Sequence, residues 1–168
     1  IDQLKKSIAG ILVVENDDVR VKDEGRLREA LIDELIYTAV FSTCSDTMKA
    51  AGWLIRRAGA ALGIYSSSIQ SFYEAMGRGE VSGLTVPAIN IRALTYDVSR
   101  AIFSAAMKDK VGAILFEIAR SEIDYTSQRP AEYTSAVTAA AIKTGYRGPL
   151  FLQGDHFQVN AGKYAKDS

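Results

Sequence analysis

Three apolar runs in the second half of the chain limit its possible folds more than any other feature. They are Val86-Pro87-Ala88-Ile89-Asn90-Ile91, Gly112-Ala113-Ile114-Leu115-Phe116-Glu117 and Leu150-Phe151-Leu152-Gln153. Each is short, nearly continuous and bounded by turn residues, which is how strands buried on both faces read. Between the first two, Thr95 and Asp97 open a helix with Val98, Ile102, Ala105 and Ala106 on one face. Between the last two, Pro130 takes the first-turn position it favours, Tyr133, Val137, Ala140 and Ala141 point inward, and Gly145 closes the helix. Strand, helix, strand, helix, strand, with strand starts 26 and 38 residues apart, predicts the βα repeat of a parallel sheet.

The first 80 residues follow a different pattern. Ile11–Val14 and Val19–Lys22 flank Glu15-Asn16-Asp17-Asp18, which predicts a small hairpin. The charges from Asp17 to Arg28 fit a solvated face. Asp23 is placed to cap a helix that buries Leu27, Leu31, Leu35 and Ala39, with Ile32, Ile36 and Val40 beside them. Ser45 or Asp46 can cap a second helix carrying Met48, Ala51, Ile55, Ala58 and Leu62 and stopping at Gly63. Trp53 in it fits a helix–helix contact. Ser67-x-x-Gln70 has the form of a capping box for a third helix with Ile69, Phe72, Tyr73 and Met76 on its apolar side. Gly77 and Gly79 follow no strand, so they do not form a phosphate loop. The expected division is 1–80, a hairpin and helical segment, and 81–168, the βα units.

Bulk properties exclude several classes. Twenty basic residues balance twenty acidic ones, which gives no electrostatic case for nucleic acid or a membrane surface as partner. One cysteine and one histidine exclude an internal disulfide and a structural zinc site built within the chain. Cys44 reads as a small buried hydrophobe. No apolar run has the length of a membrane span and no signal peptide is evident, so the expected setting is a reducing cytoplasm. The chain opens on Ile1, as a processed or partial product would.

Each strand ends in polar residues: Asn90 and Arg92, then Glu117, Ser121 and Glu122, then Asp155 and His156. Ligands of parallel α/β folds bind at the carboxyl ends of strands, so these residues are expected to share one mouth. An acid beside an imidazole can hold a metal, move a proton, or both, and it also suits an ordinary polar turn. Asn90 fits a satisfied strand-end amide as well as a substrate contact. Glu122, Asp124 and Arg129 fit a solvated loop.

Val-Pro-Ala-Ile-Asn at 86–90, the buried run into Glu117, and Phe-Leu-Gln-Gly-Asp-His at 151–156 resemble the first three strands of class II, metal-dependent fructose-bisphosphate aldolases. The helix over 66–77 is similar to that family's N-terminal helix, and the resemblance covers roughly 65–168. It implies an α/β fold, the N-terminal portion of a (β/α)8 TIM barrel preceded by a helical segment. It also implies a lyase of carbohydrate metabolism, of the glycolytic type, acting on a phosphorylated ketose such as fructose 1,6-bisphosphate. By the resemblance Asp155 is the catalytic acid/base, His156 a ligand of a divalent metal such as zinc, and Asn90 a substrate contact. The family's phosphate-contacting serine falls at Ala119, a departure, with Ser121 close by as the substrate-binding candidate. Glu117, a further substrate-binding candidate, and Gly154-Asp155-His156 also resemble the non-catalytic subunit of tagatose-bisphosphate aldolase.

The chemistry accounts for the residue types. Carbon–carbon cleavage between a ketone and a β-hydroxyl needs an electron sink at the carbonyl and a base for the hydroxyl proton. A metal supplies the sink and a neutral imidazole holds the metal. The base belongs beside a ligand without being one. A complete barrel needs roughly 250 residues, and three parallel strands leave an apolar edge open after the third. The chain is therefore expected to be the N-terminal part of a larger protein. The remaining barrel strands would come from the same protein or another chain, within a homo-oligomer. Two classes follow: a metal-dependent aldolase, or a non-catalytic aldolase-like subunit or sugar-phosphate-binding barrel using the same mouth.

Overall fold

The computed structural model describes residues 2–159 and 161–167. Helix α1 (Asp2–Ile8) leads into a hairpin of β1 (Leu12–Glu15) and β2 (Asp18–Val21), antiparallel and paired Leu12 with Val21. Its turn residues Asn16 and Asp17 both hold positive φ, as a tight two-residue hairpin turn requires. A continuous helix then runs through α2 (Glu24–Arg26), a π-type turn (Leu27–Leu31) and α3 (Ile32–Phe41). Asp23 caps it, its carboxylate accepting the Arg26 N–H at 2.9 Å. In the π turn the Ile32 N–H reaches back to the Leu27 carbonyl, and Leu27, Leu31, Ile32, Leu35, Ile36 and Ala39 are all buried. The expected stripe is present.

Helix α4 (Ser45–Ala61) is followed by a strand absent from the sequence reading, β3 (Ile64–Ser67), and then α5 (Gln70–Gly77). The second half alternates β4 (Ala88–Asn90), α6 (Thr95–Lys108), β5 (Leu115–Ala119), the short α7 (Arg120–Thr126), α8 (Pro130–Thr144) and β6 (Gly148–Asp155). Helix α9 (Ala161–Asp167) ends the described chain. Strands β4, β5 and β6 are adjacent and parallel in that order, as the apolar runs predict. The four-stranded sheet reads β3-β6-β5-β4, and among the described residues it stays open, with no barrel closed.

The edge of β6 corrects one expectation. It is not left open within the chain, because β3 pairs with it in parallel, Ile64 opposite Gly148 and Ser67 opposite Phe151. Of the four β3 residues only Ile64 is buried, so no apolar run marks this strand in the sequence. Ser67 lies in β3 rather than capping α5, and the Ser68 hydroxyl accepts the Gln70 N–H instead. Helix α5 itself buries no residue. Neither Ser45 nor Asp46 caps α4; Cys44 occupies that position, and it is exposed rather than a buried hydrophobe. Helix α6 is rotated from expectation. Thr95, Ser99 and Phe103 are its buried positions, while Val98 and Ala105 face solvent, because Phe103 stacks its ring 5.0 Å from that of Phe116 in β5.

Helix α8 is the centre. Pro130 opens it and Gly145, at φ +81°, closes it, as expected. Tyr133, Val137, Ala140 and Ala141 are buried, and so are Ser135, Ala136, Thr138, Ala139 and Ile142, which leaves little of the helix wet. It packs against α3, α4 and α6. Four buried alanines keep its girth small, so neighbouring backbones approach closely. Among the described residues no helix is long and apolar enough to cross a membrane.

The tightest approach is at Gly59 of α4, where an added Cβ would lie 2.6 Å from Thr138 Cγ2. Gly59→Ala gains about 1 kcal/mol of helix propensity and forces overpacking that costs about 1–3 kcal/mol. Urea denaturation is expected to show a net loss of up to about 2 kcal/mol for Gly59→Ala. In a Thr138→Ser background, which removes the offending methyl, the same change should stabilise. A stabilising Gly59→Ala in the unmodified chain would show that the helices part without cost.

Candidate active site

The register of the three consecutive strands decides which side chains meet. Asn90 pairs with Glu117, Glu117 with Gln153, and Ala119 with Asp155. These positions share one face of the sheet, whereas Phe116, Ile118 and Leu150 point the other way and are buried. Tyr133, in the first turn of α8, donates its hydroxyl to the Glu117 carbonyl at 2.9 Å and pins the end of β5.

Glu122 organises the polar groups at these strand ends. It is 3% exposed, which corrects the solvated-loop expectation. Asp124 and Arg129 are exposed, as that reading has them. Glu122 stands at the third position of α7, and its Oε2 accepts the Ala119 N–H at 2.8 Å, the reach-back half of a capping box. Oε1 accepts Arg92 Nε at 2.6 Å, and Asn90 Nδ2 lies 3.3 Å from Oε2. Burial pushes the Glu122 carboxyl up, but the Ala119, Arg92 and Asn90 donors outweigh it and hold the group below the ordinary 4.5.

The same Asn90 amide nitrogen lies 3.2 Å from Asp155 Oδ2 and so links Glu122 to the predicted acid/base. On the other side, His156 Nδ1 lies 2.8 Å from Asp155 Oδ1. His156 reaches back because its backbone turns into the left-handed region, φ +53°, as the strand ends; histidine tolerates this better than most residues. The His156 bond, aided by Asn90, holds Asp155 below the ordinary aspartate value and therefore ionised at neutral pH. His156 is 75% exposed, and among the described residues Nε2 has no partner.

Asp155, His156, Glu122, Arg92 and Ser121 all line one open cleft of about 950 Å3. All five belong to the predicted strand-end set. Asn90 joins them by hydrogen bond. Glu117 is buried outside the lining, its Oε1 accepting Gln153 Nε2 at 3.0 Å. Burial first, then the nearby Asp155 and Glu122 charges, raise the Glu117 carboxyl above the ordinary 4.5. Gln153 and the clamping role of Glu122 were missed in the sequence. The capping signature that marks such a glutamate begins with Ser or Thr, and Ala119 stands there.

His156 could hold a metal: one ring nitrogen lies on a carboxylate, which fixes ring orientation, and the other has no partner among the described residues. Among the described residues no group of three His, Cys, Asp or Glu converges to hold an ion. His156, the single histidine of the chain, is thus the residue that could hold a metal here. Comparison with protein-family models, curated proteins and solved structures gives no match.

The two glutamates should titrate stability in opposite senses. Glu122 is held below its unfolded value, so its contribution is complete above about pH 4.5 and fades as pH falls through the lowered value. Glu117 is raised, so its contribution is complete below about pH 4.5 and is lost as pH rises through the raised value. Urea titrations from about pH 3 to about pH 8 check both. The deficit of Glu122→Gln should shrink toward acid, and Glu117→Gln should gain on the unmodified chain as pH rises.

Proposed function

We propose that the cleft is the working mouth of a barrel-type, metal-dependent aldolase acting on a phosphorylated ketose. The observation that carries this reading is Asp155 at the end of the third consecutive parallel strand, ionised, with Asn90 Nδ2 on one oxygen and His156 Nδ1 on the other. Each carboxylate oxygen keeps a lone pair for a substrate hydroxyl. Asp155 takes the proton of the β-hydroxyl as the carbon–carbon bond breaks and returns one in the reverse direction. Asn90 orients Asp155 and stays within reach of the substrate. His156 offers Nε2 to a divalent cation such as zinc, and that cation, when bound, supplies polarisation of the substrate carbonyl. Ser121, on the cleft lining, would contact the phosphorylated end. Further ligands, and the strands that close the barrel, belong to the complete assembly, whether the same protein, another chain or a second copy.

A non-catalytic, sugar-phosphate-binding subunit is the second reading. It is supported by the resemblance of Glu117 and Gly154-Asp155-His156 to the non-catalytic subunit of tagatose-bisphosphate aldolase.

Metal analysis and turnover on the complete protein separate the two readings. His156→Ala should lower bound divalent metal. Asp155→Ala should keep the metal and lose cleavage of fructose 1,6-bisphosphate by about 10²–10⁴-fold, the usual contribution of positioned acid–base catalysis. Normal turnover in Asp155→Ala sinks the assignment. A complete protein that binds no metal yet retains a ketose phosphate establishes the subunit reading.

A further inference from the structure

A second concavity, of about 410 Å3, lies on the helical side of the Arg92 strand exit. Its volume is within the range of small-molecule sites, and its walls are mostly apolar, as such sites are. Ile36 and Ala136 are buried and form the inner wall. Three of the most exposed large apolar side chains of the chain converge on its rim: Tyr37 at 67%, Phe41 at 66% and Leu94 at 73%. The Tyr37 and Phe41 rings stand 5.0 Å apart and make a continuous aromatic wall. Leu94, opposite, holds φ +51°, a left-handed backbone that leucine rarely adopts, and its side chain gains no burial in return. Backbone strain of this kind clusters at ligand clamps.

The charges of the pocket leave one carboxylate unpaired among the described residues. Its carboxylates are Asp33, Asp97 and Glu132, and Arg92 is its only cation among the described residues. Arg92 is committed to Glu122 at 2.6 Å. Asp33 is paired with Lys143 at 2.6 Å and Asp97 with Arg100 at 3.2 Å. Glu132 accepts only the Gln128 amide, at 3.0 Å, and among the described residues no cation pairs with it. The helix start around Glu132 favours an acid there and leaves its second oxygen free.

We propose that this pocket binds a small organic cation with a flat apolar body, an aralkylamine, its ring against Tyr37 and Phe41 and its ammonium on Glu132. Apolar burial and cation–π attraction favour the body and the charge on the aromatic wall, while Glu132, which no cation pairs among the described residues, disfavours an anion of the same shape. The inference does not rest on the lyase reading, because none of Tyr37, Phe41, Leu94 and Glu132 belongs to the cleft around Asp155.

The test is an NMR titration of the chain with tryptamine, with its neutral alcohol analogue tryptophol, and with indole-3-acetate. Tryptamine should give saturable shifts at the amides of Tyr37, Phe41, Leu94 and Glu132, with tryptophol weaker and indole-3-acetate weakest. Glu132→Gln keeps the Gln128 bond and should remove about a tenfold preference for tryptamine over tryptophol, the usual value of a charged hydrogen bond. Phe41→Ala, at an exposed position that leaves the core intact, should weaken all three ligands. The proposal fails if no shift saturates at these amides, if indole-3-acetate binds as well as tryptamine, or if Glu132→Gln leaves the preference unchanged. It also fails if the amides broaden with protein concentration alone, since the occupant is then a second copy of the chain.

Discussion

The structure depends on the thinness of α8. A helix buried on nearly every side must be slim if three other helices and a sheet are to close around it, and Ala136, Ala139, Ala140 and Ala141 make it so. Each methyl buries little area, so the gain comes from the close approach and the dispersion contacts it permits. The two ends of α8 then place the site. Its first turn fixes the last residues of β5 through the Tyr133 hydroxyl. Its last turn, through Gly145, starts β6 and so sets where Asp155 emerges.

What could be read from the sequence follows from how much of each element is buried. Strands β5 and β6 are apolar over most of their length and stand out; α8 announces itself with Pro130 and Gly145 at its ends. Strand β3 could not be read, because Tyr65, Ser66 and Ser67 contribute backbone pairing and little burial. Hydrogen bonding to an existing strand leaves no mark in side-chain pattern. The face of α6 was misassigned by one position because Phe103, a single large ring, outweighs several small apolar residues in deciding which side turns inward. The site divides in the same way. Strand-end reasoning brings Asp155, His156 and Asn90 together, and in the structure the Asn90 amide and the His156 ring both lie on Asp155. The burial of Glu122 needed three-dimensional information, because its donors come from three elements: the end of β5, the end of β4 and the segment after it.

Glu117 and Glu122 show how neighbouring carboxylates acquire opposite characters. Glu122 receives a backbone N–H, a guanidinium and an amide, and the sum exceeds its desolvation. Glu117 receives one amide and has two acidic neighbours, so desolvation prevails. Both are buried. The difference is donor count, and donor count follows from position: Glu122 sits where a helix begins and free N–H groups abound, Glu117 within a strand whose N–H groups are spent on the sheet.

Arg92 ties this asymmetry to the two concavities. It lines the polar cleft and the apolar pocket alike, and its Nε bond to Glu122 fixes its direction. The wall between cleft and pocket is thus only as rigid as the ionised state of a buried glutamate. That state is secured by the Ala119 N–H, a backbone group that no substitution at position 119 other than proline would remove.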